Sequence, residues 1–187
     1  MKNYQITEWC RLFIAQQVRE GDLCIDATAG NGHDTLFLSQ LAKSSGRVLA
    51  FDIQKEALDA AQRRLMKAGA DDNVSFILDS HSRMNQYASP ETVSCIVFNL
   101  GYLPTSDRVL TTKAETSLAA VKKAVEHVKV GGTVVVVVYP GHPEGRREGE
   151  LLTAFAASLD PKRFDATCYR LVNVPDCPFV LAFQKRR

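Results

Sequence analysis

The chain has 187 residues, of which 45% are hydrophobic and 24% are charged, and its formal net charge is +2. This length suits one domain with a substantial core, so we expect a single domain over residues 1–187 that begins with a lead-in helix within residues 1–20. The small net charge excludes a protein that is basic throughout, so any nucleic-acid-binding surface must be local.

The cysteine spacing and the lengths of the apolar segments indicate the cellular location of the protein. Five cysteines without a C-x-x-C pair predict neither a disulfide framework nor a zinc site, and we expect no metal centre. No stretch of 18 apolar residues occurs, and the amino terminus lacks the apolar core of a signal peptide. We therefore expect a cytoplasmic protein that does not enter a membrane.

Hydrophobic periodicity predicts alternating strands and helices. Predicted strands cover residues 23–27, 47–53, 73–79, 93–100, 133–139, 166–173 and 179–185. Predicted helices cover residues 5–19, a segment around 36–41, and residues 55–68, 114–128 and 148–158, while residues 80–92 are predicted to be a polar loop. The pattern predicts an α/β fold with a seven-stranded, mostly parallel sheet, an antiparallel edge strand, and helices on both faces.

A glycine turn, DATAGNG, follows the first strand at residues 26–32. Ligands of open α/β sheets bind at the carboxyl ends of the strands, and Gly30 and Gly32 can adopt positive φ there. A dinucleotide-binding turn would place a third glycine where Thr35 stands, and the Asp26 carboxylate would repel a pyrophosphate. The turn instead suits a ligand with hydroxyl groups and positive charge.

Aspartates also end the second and third strands. Asp52 lies 22 residues beyond Gly30, where an acid accepts hydrogen bonds from ribose hydroxyls, and Asp79 holds the corresponding place after the third strand. Strand-end aspartates that only cap turns are the alternative interpretation.

Asp26, Asp52 and Asp79 around a glycine turn resemble the class I S-adenosylmethionine-dependent methyltransferases. The resemblance implies that the turn holds the amino-acid half of the cofactor, the second acid the ribose, and the third acid with its neighbours the adenine. The implied cofactor residues are Asp26, Ala27, Gly30, Asn31, Gly32, His33, Asp34, Thr35, Asp52, Gln54, Asp79, Ser80, His81 and Asn99.

A narrower resemblance rests on the phrases DATAGNGHDT, AFDIQ, DSH, FNLGYLP and YPGHPEG, and it spans roughly residues 4 to 185. With these phrases the chain resembles a small bacterial family first labelled ribosomal-RNA methylases and now associated with wobble-uridine modification of tRNA. The resemblance implies methylation of the 5-aminomethyl group of 2-thiouridine at position 34 (nm5s2U to mnm5s2U), with the tRNA anticodon stem-loop as partner.

Such a reaction needs acceptors for amine N–H groups and a flat surface for the uracil. In FNLGYLP, the Asn99 oxygen could orient the amine, and Gly101 and Tyr102 could contact the base, with Tyr102 stacking on it. The segment resembles the N-P-P-Y loop of amino-directed methyltransferases, but Leu100-Gly101 replaces the two prolines. A surface turn with an exposed tyrosine is the alternative.

The loop YPGHPEG follows the fifth strand and could close over the same crevice. It offers Tyr139 as a substrate contact and His142 as a base or positioning group, although a histidine in such a loop can be purely structural. Arg146 and Arg147 could contact phosphates, as could Arg108 elsewhere, although a solvated charged surface is the simpler interpretation for most of the basic residues. Recognition is expected to use this catalytic face, which a second subunit could complete in a homodimer.

Other functions remain open from the sequence. A pyrimidine C5 reaction fits poorly because neither loop contains a cysteine nucleophile. Methylation of rRNA or of a small-molecule amine fits the same residues, and so does a non-catalytic protein of the same fold that binds RNA.

Overall fold

The computed structural model describes residues 6–100 and 113–187, so the predictions for Gly101, Tyr102 and Arg108 lie outside the described residues. The helices are α1 (Ile6–Gln17), α2 (His33–Ala42), α3 (Lys55–Ala68), α4 (Ala114–His127) and α5 (Pro143–Ser158). The strands are β1 (Leu23–Asp26), β2 (Arg47–Asp52), β3 (Val74–Leu78), β4 (Val93–Asn99), β5 (Val128–Val138), β6 (Phe164–Tyr169) and β7 (Phe179–Lys185).

The seven strands form one sheet in the order β3-β2-β1-β4-β5-β7-β6. Strands β1 to β5 pair in parallel, whereas β7 is antiparallel to both of its neighbours. The predicted sheet is therefore confirmed, with its antiparallel pairing at the predicted end. Since β6 points the same way as β5, its carboxyl end lies at the same edge of the sheet as those of β1 to β5.

Helices cover both faces of the sheet. On β5, Val134, Val136 and Val138 join the core beneath α4 and α5, while the alternating Val135 and Val137 join the core beneath α1 and α2. This two-sided burial explains why the central strands are apolar without alternation.

Several boundaries differ from the prediction, and β6, for example, ends at Tyr169, where the prediction extended to residue 173. A 3-10 helix, His81–Gln86, lies in the predicted polar loop, where the Ser80 hydroxyl caps it and Met84 is buried. Helix α5 begins five residues earlier than predicted, because Pro143 suits a first helical position and His142 caps it. Strand β5 begins at Val128, before the two glycines, directly after α4.

The pairing register between β4 and β5 changes near the two glycines of β5. Val93 of β4 pairs with Val128, but Cys95 pairs with Thr133, so β5 contains extra residues here. A Cβ atom on Gly132 would lie 2.7 Å from the Ser94 carbonyl oxygen. Only glycine fits this bulge without moving the backbone of β4.

In the described part of the chain, no helix is long and apolar enough to cross a membrane.

Candidate active site

The described residues that were predicted to hold the cofactor lie at one edge of the sheet, where the carboxyl ends of the parallel strands meet. The Asp79 N–H donates to the Asp52 carbonyl oxygen (3.1 Å), which joins the ends of β3 and β2. The Ala27 N–H donates to the Val97 carbonyl oxygen (2.8 Å), which joins the loop after β1 to β4. The carboxyl ends of β1 to β4 are therefore held together at this edge.

The turn after β1 is built around the buried Asp26. One Asp26 carboxylate oxygen accepts a hydrogen bond from the Thr28 N–H (3.1 Å), and the other accepts one from the Thr35 hydroxyl (2.6 Å). The Asp26 side chain thus organises the turn from below. Its predicted contact with the cofactor stays a prediction.

Both glycines of the turn adopt positive φ, as predicted: 49° at Gly30 and 76° at Gly32. A Cβ atom on Gly32 would lie 2.7 Å from the Ala61 Cα of helix α3. Gly32 therefore allows close packing of the turn against α3, in addition to its backbone conformation.

The Asp26 carboxyl also has an unusual pKa. Burial, and next the nearby Asp34 carboxylate, raise its pKa from 3.8 to about 7. The Asp26 carboxyl therefore binds a proton more readily than an exposed aspartate does. A bound cation would favour the ionised form.

Asp52 has the geometry of a ribose ligand. Its two carboxylate oxygens accept one backbone hydrogen bond each, from the Gly30 N–H and the Gln54 N–H, both at 2.9 Å. The side chain is only partly buried, and a carboxylate has about four lone-pair sites, so acceptor capacity remains for two hydroxyl groups. The Gln54 backbone begins α3, so this residue borders the same site.

Asp79 contacts residues at and just after the 3-10 helix, and its predicted contact with the adenine stays a prediction. Its carboxylate accepts from the Tyr87 hydroxyl (2.9 Å) and from the Ser80 N–H (2.8 Å), and it pairs with Arg83 at 3.4 Å. The Tyr87 hydrogen bond is the main cause that lowers the Asp79 pKa.

His81 connects the segment after β3 to the turn after β1. Its Nδ1 lies 3.0 Å from the Ala27 carbonyl oxygen, and its ring meets Phe98 edge to face. Because a carbonyl only accepts, Nδ1 carries the proton and Nε2 is the free acceptor of the neutral ring. Burial lowers the His81 pKa, which favours that neutral form.

Two predicted residues border the turn at its outer side. The Asn31 carbonyl oxygen accepts a hydrogen bond from Arg64 Nε (2.6 Å). His33 is exposed at the first turn of α2, and its pKa is lowered by partial burial and then by Arg64.

Asn99 lies at the end of β4, where three elements meet. Its N–H donates to the Thr28 hydroxyl (2.7 Å), and its side-chain nitrogen donates to an Asp34 carboxylate oxygen (3.2 Å). Tyr139, at the end of β5, also contacts the Asn99 side chain. Burial, followed by Asp34, raises the Tyr139 pKa. Asn99, Asp34 and Tyr139 form what we call the amide cluster.

The loop after β5 gives His142 a structural contact. Its Nδ1 accepts a hydrogen bond from the Gly145 N–H (3.0 Å) and so caps α5. The neutral ring therefore carries its proton on Nε2, and protonation of Nδ1 would remove the cap. A catalytic His142 stays a prediction.

The two predicted phosphate contacts are both paired with surface carboxylates. Arg146 pairs with Asp176 at 3.3 Å, and Arg147 pairs with Glu115. All four side chains are more than 40% exposed. Exposed ion pairs contribute only about 0–1 kcal/mol, so a phosphate could compete for either arginine.

Three residues of the site were missed from the sequence. Thr28 receives the Asn99 N–H, Tyr87 holds Asp79, and the Glu144 carboxylate accepts from the Ala114 N–H (2.8 Å) at the start of α4. Thr28 lies inside the DATAG phrase and could have been suspected there. Tyr87 meets Asp79 across the unpredicted 3-10 helix, and the contact between Glu144 and Ala114 joins segments 30 residues apart.

The residues fit an adenosyl cofactor with a positively charged end. The Asp52 carboxylate keeps acceptor sites for ribose hydroxyls, and Asp26 and Asp34 supply negative charge near the turn. An α/β sheet with a glycine turn and a strand-end acid of this kind defines the class I S-adenosylmethionine-dependent methyltransferases.

Comparisons with known proteins agree with this class. A family model described as "Putative rRNA methylase" matches residues 48–185, and the chain belongs to that family. A tRNA (mnm(5)s(2)U34)-methyltransferase, chloroplastic, from Arabidopsis thaliana is 36% identical over 191 residues, which cover 97% of this chain and 69% of that protein.

Solved structures give the same result. A putative rRNA-methylase from Clostridium thermocellum has a TM-score of 0.94 and 35% identity, covering 99% of this chain and 100% of that one. A putative methyltransferase from Streptococcus mutans, in complex with SAH, has a TM-score of 0.87 and 35% identity, covering 97% of this chain and 98% of that one. The predicted fold class, family and cofactor, S-adenosylmethionine, are confirmed.

Replacing Asp52 by alanine should weaken S-adenosylmethionine binding at least about tenfold, because two hydroxyl groups lose a charged acceptor. Isothermal titration calorimetry measures this change, and thermal unfolding verifies that the variant is folded. The control is Asp59→Ala, which removes a carboxylate of α3 that pairs with Lys55. Equal affinities of Asp52→Ala and the unaltered protein would remove Asp52 from the cofactor site.

The Asp26 pKa of about 7 predicts pH-dependent binding of the cofactor. Asp26 is neutral below this pH and anionic above it, and a cation prefers the anion. The affinity for S-adenosylmethionine should therefore rise about fivefold from about pH 5.5 to about pH 7.5. Titrations with Asp26→Asn should show a flatter profile, whose remaining slope comes from His33 and His81. If the affinity for S-adenosylmethionine depended on pH in the same way in Asp26→Asn, Asp26 would not be the cause of that dependence.

Proposed function

We propose that the protein is a tRNA methyltransferase that N-methylates the 5-aminomethyl group of wobble uridine 34, converting nm5s2U to mnm5s2U. The observation that carries the proposal is the alignment of 97% of this chain with the Arabidopsis tRNA (mnm(5)s(2)U34)-methyltransferase. The amide cluster supports it, since it places hydrogen-bonding groups for an amine beside the cofactor turn.

The reaction places simple demands on the protein. S-adenosylmethionine supplies an electrophilic methyl group. The neutral amine nitrogen forms a bond to the methyl carbon in line with the breaking carbon–sulfur bond, and the methylated amine then releases one proton. The protein must hold the amine in line, keep its lone pair directed at the methyl group, and exclude water.

Asn99 is proposed to hold the amine. A carboxamide oxygen accepts a hydrogen bond from an N–H of the substrate amine. The lone pair of the amine nitrogen then remains available for the reaction. Asn99 is partly buried at the end of β4, and it is joined to the cofactor turn through Thr28. Gly101 and Tyr102 follow it in sequence, and we propose that Tyr102 stacks on the uracil.

A general base is not required by this proposal, because an amine that binds in its neutral form needs only to lose a proton after transfer. His142 is better suited to positioning, since its Nδ1 caps α5. That cap fixes the loop carrying Tyr139 relative to the first turn of α5.

A groove beside the amide cluster is a candidate surface for the anticodon loop. It has a volume of about 710 Å³ and lies between α5 and the loop that joins β6 to β7. Pro140, next to Tyr139, is one of the lining residues, and the charged lining consists of Arg146 and Arg170 with Glu150 and Asp176. Val172, which is 91% exposed, offers an apolar surface for a base. An unstacked base matches this apolar surface, and a phosphate would have to displace Asp176 from Arg146.

The same surface could be completed by a second copy of the chain. A homodimer and a cytoplasmic location, both predicted from the sequence, are retained as part of the proposal.

Nucleoside mass spectrometry tests the proposed reaction. Purified protein with S-adenosylmethionine should convert nm5s2U to mnm5s2U in tRNA from a strain that lacks the gene, and that tRNA should contain unmethylated nm5s2U. Asn99→Ala should reduce the rate about 100-fold or more, because the amine loses its acceptor. Asn85→Ala, whose side chain contacts Lys123, serves as the control.

Normal mnm5s2U in tRNA from the deletion strain, with no conversion by the purified protein, would contradict the proposal. If a methylated nucleoside were lost from rRNA instead, the rRNA activity that the family description suggests would replace it.

A further inference from the structure

We infer that Asp34 is a positioning residue that fixes the orientation of the Asn99 carboxamide, so that the amide oxygen faces the substrate amine. The inference rests on the proposed function for the identity of the substrate. It gives Asp34 a role through Asn99, in place of the direct cofactor contact predicted from the sequence.

In the hydrogen bond between Asn99 and Asp34, the amide is the donor and the carboxylate is the acceptor. Asp34 Oδ2 lies 3.2 Å from Asn99 Nδ2. The carboxylate oxygen accepts this hydrogen bond, so the amide nitrogen faces Asp34. With the opposite orientation, the amide oxygen would meet the carboxylate and the two would repel each other.

The backbone of Asn99 cannot follow a movement of its side chain easily. The Asn99 N–H is bound by the Thr28 hydroxyl at 2.7 Å, and the next N–H, of Leu100, donates to the Val137 carbonyl oxygen at 3.0 Å. With the backbone held, rotation of the carboxamide is the main remaining freedom. Asp34 restricts that rotation.

The neighbouring acid, Asp26, is directed elsewhere. Its two oxygens accept from the Thr28 N–H and the Thr35 hydroxyl inside the turn, and its side chain is buried. Asp34, in the first turn of α2, presents an oxygen to Asn99.

Kinetics of nm5s2U methylation in tRNA test the inference. Asp34→Ala should lower kcat about 100-fold, while the KM for tRNA changes less than about threefold. The reason is that Asp34 affects the orientation of the Asn99 carboxamide and not the binding of tRNA. Asp34→Asn can still accept from Asn99 Nδ2 and should retain at least about tenfold more activity than Asp34→Ala. Glu56→Ala, an exposed acid in the first turn of α3, is the matched control.

A double-mutant cycle separates this role from a direct one. In an Asn99→Ala background, Asp34→Ala should cause no further loss, because the group it orients is absent. Additive losses would overturn the inference, and so would an Asp34→Asn variant as inactive as Asp34→Ala. A tenfold loss of S-adenosylmethionine affinity in Asp34→Asn would restore the direct cofactor role and also overturn it.

A readout without tRNA keeps this inference distinct from the proposed function. In ¹H–¹⁵N spectra, the Asn99 side-chain amide should shift toward the position of a free amide in Asp34→Ala but keep its position in Asp34→Asn. If the unaltered protein fails to methylate the tRNA while this shift appears, the proposed function fails and the positioning role stands. An unchanged amide resonance in Asp34→Ala would overturn the positioning role.

Discussion

The hydrogen bond from the Asn99 N–H to the Thr28 hydroxyl joins the two segments on which the site depends. One is the cofactor turn after β1, and the other is the carboxyl end of β4, where the proposed amine-binding Asn99 lies. Asp26 supports this junction from beneath through the Thr28 N–H, and the Ala27 carbonyl oxygen holds His81. A movement of one of these segments is therefore transmitted to the others.

Three aspartates at equivalent strand ends have different surroundings and so different uses. Asp26 is buried with both oxygens engaged, and its pKa is raised to about 7. Asp52 is partly buried and keeps free acceptor sites on its carboxylate, whereas Asp79 is held by Tyr87 and Arg83. Sequence register places these acids at one edge, but burial and partners determine the chemistry of each.

The central strands and the edge that holds the site could be predicted, because apolar runs such as TVVVVVY and strand-end residues such as Asp52 are local signals. The capping of α5 by His142 and the 3-10 helix at His81 depend on side-chain contacts that periodicity does not report. The amide cluster was predicted only in part. Asn99 was proposed from its loop, but its contact with Asp34 joins residues 65 positions apart. Such a contact follows from the packing of α2 against the sheet.

We propose that the Asn99 carboxamide holds the substrate amine next to the cofactor turn. A crystal structure with S-adenosylhomocysteine and an anticodon stem-loop bearing 5-aminomethyl-2-thiouridine measures this directly. We expect the amine nitrogen to lie about 2.7–3.2 Å from Asn99 Oδ1, with Nδ2 still facing Asp34. An amine bound elsewhere, or an Asn99 oxygen turned toward Asp34, would contradict it.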